Sequence, residues 1–154
     1  MTLWSGHIAQ RESKYAQRQR SLAVSSAQTM IDDFATALET LSAPTQPRLE
    51  LLKKVAGVFD QLEETRDLRD RFATEQGIAE AQGSIHATLR IADTLVDLGD
   101  RNAAMGRIRS AEELALELQK KRARDERGNL LLAEVLIAKG QLLKDESNIE
   151  EVRR

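Results

Sequence analysis

Apolar residues recur at spacings of three and four along most of the chain. Leu22, Met30, Ile31, Phe34, Leu38 and Leu41 form one such stripe, the period of an amphipathic helix. Residues 7–41 are therefore predicted as one long helix, or as two joined near Ser25 and Ser26. Pro44 and Pro47, the only two prolines, sit in the polar stretch SAPTQP, which ends this element and lets another begin near Arg48. They divide an N-terminal helical segment, 1–43, from a second part, 48–154. Near the far end, Leu130, Leu131, Leu132, Val135, Leu136, Ile137, Leu142 and Leu143 surround much of a helix instead of forming one stripe. Such a helix needs cover on more than one side.

Composition sharpens this to an all-α chain. Ala, Glu, Lys, Leu and Arg supply 79 of 154 positions, a share expected of long helices, and eight glycines leave too few turn signals for a sandwich or barrel. Hydrophobic residues make up 41% and charged ones 31%, far from the corner where chains stay disordered. No apolar run reaches the length of a membrane span. The opening MTLWSGHIAQ has neither a basic leader nor a long apolar run, so a cytoplasmic location is expected. With no cysteine, disulfides, thiolate metal sites and thiol catalysis are excluded.

A search for internal repeats is informative in the second part. In residues 89–118, Ile91, Ala92 and Leu95 fit a first helix, Gly99 and Asp100 a turn, and Ala104, Ile108 and Ala111 a second helix. Ala92 and Ala104 let the two backbones approach. Shifting by 36 places Val55, Ala56, Phe59, Leu62, Leu68 and Phe72 on the apolar positions of this unit, and shifting forward by 41 places Leu132, Ala133, Leu136 and Gly140 on Ile91, Ala92, Leu95 and Gly99. The central unit resembles a tetratricopeptide repeat, and its spacing resembles the extended repeats of bacterial signalling and regulator proteins. The outer units depart from the pattern: Leu68 replaces a small residue, Glu63 stands where the turn glycine belongs, and Asp145 falls on a small position. The resemblance implies antiparallel helix pairs stacked as a short α-solenoid, with units of about 49–84, 85–125 and 126–154.

It also implies a groove along the inner faces of the first helix of each unit. The inner positions include Lys53, Asp60 and Gln61 in the first unit, His86, Leu89, Asp93, Val96 and Asp97 in the second, and Glu134 in the third. Two basic against five acidic residues across all the inner positions make this groove acidic. The ligand this implies is a basic amphipathic peptide or helix, with the chain's own N-terminal segment among the candidates. The plain alternative is that Asp93 and Asp97 simply face water.

Nothing in the sequence converges for catalysis or for a cofactor. His7 and His86 lie far apart with no metal-ligand spacing, the glycines are scattered singly, and no nucleophile elbow is present. Acidic neighbours such as Glu112 and Glu113 splay about 100° apart on a helix. The expected function is therefore a non-enzymatic protein-interaction module, an adaptor or scaffold. Two basic clusters, one in residues 7–20 and one in 117–127, keep open a nucleic-acid-associated regulator. The total charge of −2 supplies no global pull toward phosphates or an anionic membrane. A structural helical-bundle oligomer is the remaining alternative. The surplus of apolar side chains in the last helix predicts a homodimer, with Leu131, Ile137, Leu142 and Leu143 at the contact.

Overall fold

The structure, a computed structural model, describes residues 3–42, 44–64 and 71–152, with side chains described from residue 8 to residue 150. It is all-helical: α1 (Leu3–Thr40), α2 (Thr45–Glu64), α3 (Glu75–Asp97), α4 (Arg101–Lys121) and α5 (Glu126–Val152). Among the described residues there is no strand.

The predicted element is one unbroken helix through Ser25 and Ser26, α1, which ends at Thr40, one residue before Leu41. Pro44 lies in the connection that follows, and α2 starts at Thr45, three residues before Arg48. Pro47 is accommodated in the first turn of α2, where a backbone N–H would have no intrahelical acceptor. The Arg48 guanidinium donates back to the Leu38 carbonyl near the end of α1, and so ties the two helices at their turn.

Helix α3 is the axis of the fold, packing against each of the other four helices. Ile78, Ala81, Ser84, Ile85, Ala87, Ile91, Ala92, Thr94 and Leu95 are all buried along it. Its tightest neighbour is α4, which presents Ala104, Ile108, Ala111, Ala115 and Leu118 to the core. Small side chains alternate with branched ones here, so the helices approach closely while Ile and Leu fill the space beside them. The two polar core residues donate back to their own helix, Ser84 Oγ to the Glu80 carbonyl (3.0 Å) and Thr94 Oγ1 to the Arg90 carbonyl (2.9 Å). Burial therefore leaves no hydroxyl unbonded at either.

The α3–α4 turn is built as its sequence predicts. Gly99 adopts φ of 87°, in the left-handed region that favours glycine. Its N–H bonds the Val96 carbonyl at 2.9 Å, and that of Asp100 bonds Leu95 at 2.8 Å. Asp100 then caps α4, its carboxylate accepting from the Ala103 N–H at 3.0 Å.

Residues 89–118 thus form the antiparallel pair expected of the central unit, but the helix boundaries on either side differ from those of the outer units. The boundary between 84 and 85 falls inside α3. Phe72 is buried in a turn and not in a helix, while Leu68 lies outside the described residues. Helix α5 runs unbroken past Gly140, so Asp145 belongs to the same helix as Leu131. Local signals explain these limits. Thr74 caps α3 by accepting from the Gly77 N–H at 3.0 Å, and Arg122 Nε donates to the Phe72 carbonyl at 2.8 Å. A Cβ on Gly77 would stand 2.1 Å from the Arg71 carbonyl oxygen, so the preceding turn is packed directly on the start of the helix.

Successive helices pack against one another, α1 with α2, α3 with α4 and α4 with α5, and α1 also packs along α3. Helices α1, α3 and α5 run in the same direction: Gln28 and Glu39 meet residues 80 and 90 of α3, and Arg127 and Glu134 meet Glu75 and His86.

Ala104 is fully buried between α3 and the rest of the core. Ala104→Leu should overpack this contact and cost about 1–3 kcal/mol, read as a fall in melting temperature. An unchanged melt would mean that the α3–α4 interface has room that the packing denies.

Candidate functional site

One strip of α3 stays open. At about 100° per residue, His86, Asp93 and Asp97 fall within about 40° of each other on the helix surface, and all three are exposed. Arg90, Gly83 and Ala87 lie to one side of this strip, toward α1. Leu89 and Val96 lie to the other and pack partly against the core. Together with α1, reached by Arg90 on one side, and α5, reached by His86 on the other, this strip is termed the channel.

The α1 wall is attached through Arg90. Its guanidinium reaches Asp32 Oδ1 at 3.4 Å and Glu39 Oε1 at 3.0 Å, and it also donates to Thr36 Oγ1 at 3.4 Å. A cavity of about 300 Å³ opens between these helices, lined by Gln28, Asp32, Gly83, His86 and Arg90 among others. The α5 wall is attached through His86 Nε2 and Glu134 Oε2, 3.0 Å apart. Leu130, Ile137 and Gln141 share the Glu134 side of α5 within about 60°, and Leu130 and Ile137 are more than 60% exposed there.

The channel is acidic. Asp32, Glu39, Asp93, Asp97 and Glu134 are offset only by Arg90 and by His86 when protonated. The field is visible at Asp93, whose carboxyl is held above the usual Asp range. Partial loss of hydration among its neighbours is the largest cause, Asp97 and Glu39 add repulsion, and Arg90 opposes them.

The residues expected in the groove separate into two groups. His86, Asp93 and Asp97 share one exposed strip of α3, and Glu134 meets His86 from α5, with Leu89 and Val96 on the other side of the strip from Arg90. Lys53 and Asp60 are not in the channel. Lys53 Nζ pairs with Asp100 Oδ2 at 2.5 Å, and Asp60 takes a two-pronged grip from Arg107 of α4, with Nη2 to Oδ2 at 2.7 Å. They tie the first helix pair to the second. Gln61 is exposed on α2. The reason is the placement of α2, which packs on α1 and α3 so that Asp60 and Lys53 reach across to α4 and the turn before it. Asp32, Glu39 and Arg90 complete the channel and were missed by the sequence reading. The available signal was the run Ser25, Asp32, Thr36 and Glu39, a polar stripe along a helix otherwise read only for its apolar side.

Of the four residues assigned to a contact between copies, Leu131 (2% exposed) and Leu142 (3%) are committed to the chain's own core, against α4. Ile137 and Leu143 are exposed, on different sides of α5. Among the described residues, no group of three or more His, Asp or Glu side chains converges to hold a metal ion, and no helix is long and apolar enough to cross a membrane. The His7 side chain lies outside the described side chains.

The raised Asp93 carboxyl has a consequence for stability. A carboxyl whose folded pKa lies above its unfolded value favours the folded state at pH below the unfolded value, and that contribution is lost as pH rises through the folded pKa. Asp93→Asn should therefore raise the melting temperature at pH 7, and the gain should shrink toward zero as pH falls through the ordinary Asp range. A pH series of thermal melts on both proteins checks this, and a gain independent of pH would contradict it.

Comparison with protein-family models, with curated proteins and with solved structures gives no match, so function has to be read from this geometry.

Proposed function

We propose that this protein is a non-enzymatic interaction module whose channel along α1, α3 and α5 receives a basic, amphipathic segment of a protein partner. One observation carries the reading: the exposed strip of the most deeply packed helix is acidic and is flanked by apolar footholds. A helix buried on nearly all sides gains nothing in stability from leaving Asp93 and Asp97 side by side at spacing four, where like charges repel. An arriving cation relieves that repulsion. Leu130 and Ile137 give the apolar side of such a segment somewhere to pack, and the acids give it a direction.

The tetratricopeptide-like reading is part of this proposal. Its support is the order of pairing, with α1, α3 and α5 in parallel on one side and α2 and α4 behind them, and a turn built on Gly99 and Asp100. The role is that of an adaptor or scaffold.

A nucleic-acid role draws less support. In the second basic cluster, Lys121 pairs with Glu117 at 3.1 Å and Arg122 is bound to the Phe72 and Ala73 carbonyls. Arg127 is held by Asp125 and Glu75, and its hydrogen bonds keep the Asp125 carboxyl down at about 2. These cations serve the turns that join the helices and are poorly free to meet phosphates.

A synthetic amphipathic helix of arginine and leucine, labelled for fluorescence anisotropy, tests the reading against its glutamate-for-arginine counterpart. The basic peptide should bind and the acidic one should not. Asp93→Lys with Asp97→Lys should weaken the basic peptide at least tenfold, the circular dichroism spectrum staying that of the parent. Equal binding of both peptides, or indifference to the double substitution, would place the docking surface elsewhere.

A further inference from the structure

Helix α1 is 38 residues long, about 57 Å at 1.5 Å per residue, yet only its second half is packed. Among its described side chains Val24 is the first buried one, and every side chain from 8 to 20 is exposed. Residues 8–20 thus form an arm standing clear of the other helices. A lone helix of this length has marginal stability in water, so a surface that receives it would stabilise it.

The two halves of α1 are opposite in charge. Residues 8–23 carry Arg11, Lys14, Arg18 and Arg20 against Glu12, a net of +3, and residues 24–40 carry Asp32, Asp33 and Glu39, a net of −3. The charges are also aligned. Arg11, Lys14, Arg18, Ser25, Asp32, Thr36 and Glu39 all fall within an arc of about 80° around the helix. This arc includes the side of Asp32 and Glu39 that walls the channel. A single face of one helix is thus basic at one end, neutral at Ser25 and acidic at the other.

We propose that a second copy of this chain occupies the channel, through antiparallel pairing of α1 with the α1 of the second copy about a two-fold axis at Ser25. The proposal rests on the interaction-module reading and names its partner. In this register residue 18 of one copy lies opposite residue 32 of the other, and residue 11 opposite residue 39. Arg18 therefore meets Asp32 and Arg11 meets Glu39, twice over, as a self-complementary interface with two-fold symmetry requires. Lys14 lies opposite Thr36. Each arm is laid over the acidic channel of the other copy, near the charges of Asp93 and Asp97. Arg90 neutralises Asp32 and Glu39 only in part: Asp32 keeps 73% of its side-chain exposure and Glu39 43%. The arm cannot reach its own channel, because the same continuous helix forms the wall.

Sedimentation velocity over a concentration series gives the test. The parent should dimerise, more weakly as salt is raised. Reversing the arm with Arg11→Glu, Lys14→Glu and Arg18→Glu, all exposed positions, should give a monomer of unchanged helicity. Reversing the wall with Asp32→Lys and Glu39→Lys should also give a monomer, and an equimolar mixture of the two variants should restore a dimer holding one copy of each. That restoration is a result no loss of folding can mimic. A parent that stays monomeric, a dimer that survives both reversals, or a dimer abolished by Leu136→Glu with Leu143→Glu while indifferent to the arm would overturn the proposal. The synthetic basic peptide separates the two readings. If it binds in an Asp93- and Asp97-dependent way while the parent is monomeric, the channel stands as a docking site and self-pairing falls. A dimer that follows the charge reversals while the peptide is ignored supports self-pairing and removes the general peptide-binding role.

Discussion

The close packing of α3 against α4 governs the placement of everything else. Alanines at 92, 104, 111 and 115 remove the bulk that would hold the two backbones apart, and Ile91, Leu95, Ile108 and Leu118 close the space around them. This leaves α3 with buried side chains around most of its circumference. Helices α1 and α2 can then add only on the flank that α4 leaves open, and α5 adds along α4. The channel is what remains after that arrangement: a strip of the central helix that its neighbours touch only at the edge, through the pairing of His86 with Glu134.

Ion pairs do a different job, setting register. Asp60 with Arg107 and Lys53 with Asp100 align the first helix pair against the second. Lys139 with Glu112, at 2.6 Å, aligns α5 against α4. Individually such half-exposed pairs contribute little to stability. Their effect is directional, because a helix that slid by a turn along its neighbour would lose its pair while keeping most of its apolar contact. The chain thus uses apolar burial for cohesion and charge for alignment, and the acids of the channel stand out as charges only partly used in either way.

Much of the architecture was legible because helix period and turn chemistry are local. The stripe from Leu22 to Leu41, the break at Pro44, and the Gly99–Asp100 turn each follow from residues close in sequence. Ala104 was legible as a packing position for the same reason. The partition of polar residues was not. Asp93 and Lys53 look alike on their own helices, each a charge at the edge of an apolar stripe, and only the assignment of α1 as the partner of α2 sends one to the channel and the other to α4. The sequence signal for residues 49–84 as a unit was carried by apolar spacing alone, and apolar spacing repeats on any amphipathic helix. Leu131 and Leu142 show the same limit from the other side: an apolar residue on a helix surrounded by apolar residues carries no mark of which neighbour will cover it.

The two walls of the channel are fixed to its floor by unequal means. Helix α1 is bound to α3 along a packed seam that includes Ile31 and Leu38 and is reinforced by Arg90 reaching two carboxylates. Helix α5 meets α3 over a short stretch, with two polar ties, His86 to Glu134 and Glu75 to Arg127, and packs more extensively against α4. The α1 side of the channel is thus joined to its floor mainly by packing, and the α5 side mainly by polar contacts. An occupant of the kind proposed above would therefore meet a packed helix seam on the α1 side and, on the α5 side, a helix whose polar ties to the floor are themselves partly exposed.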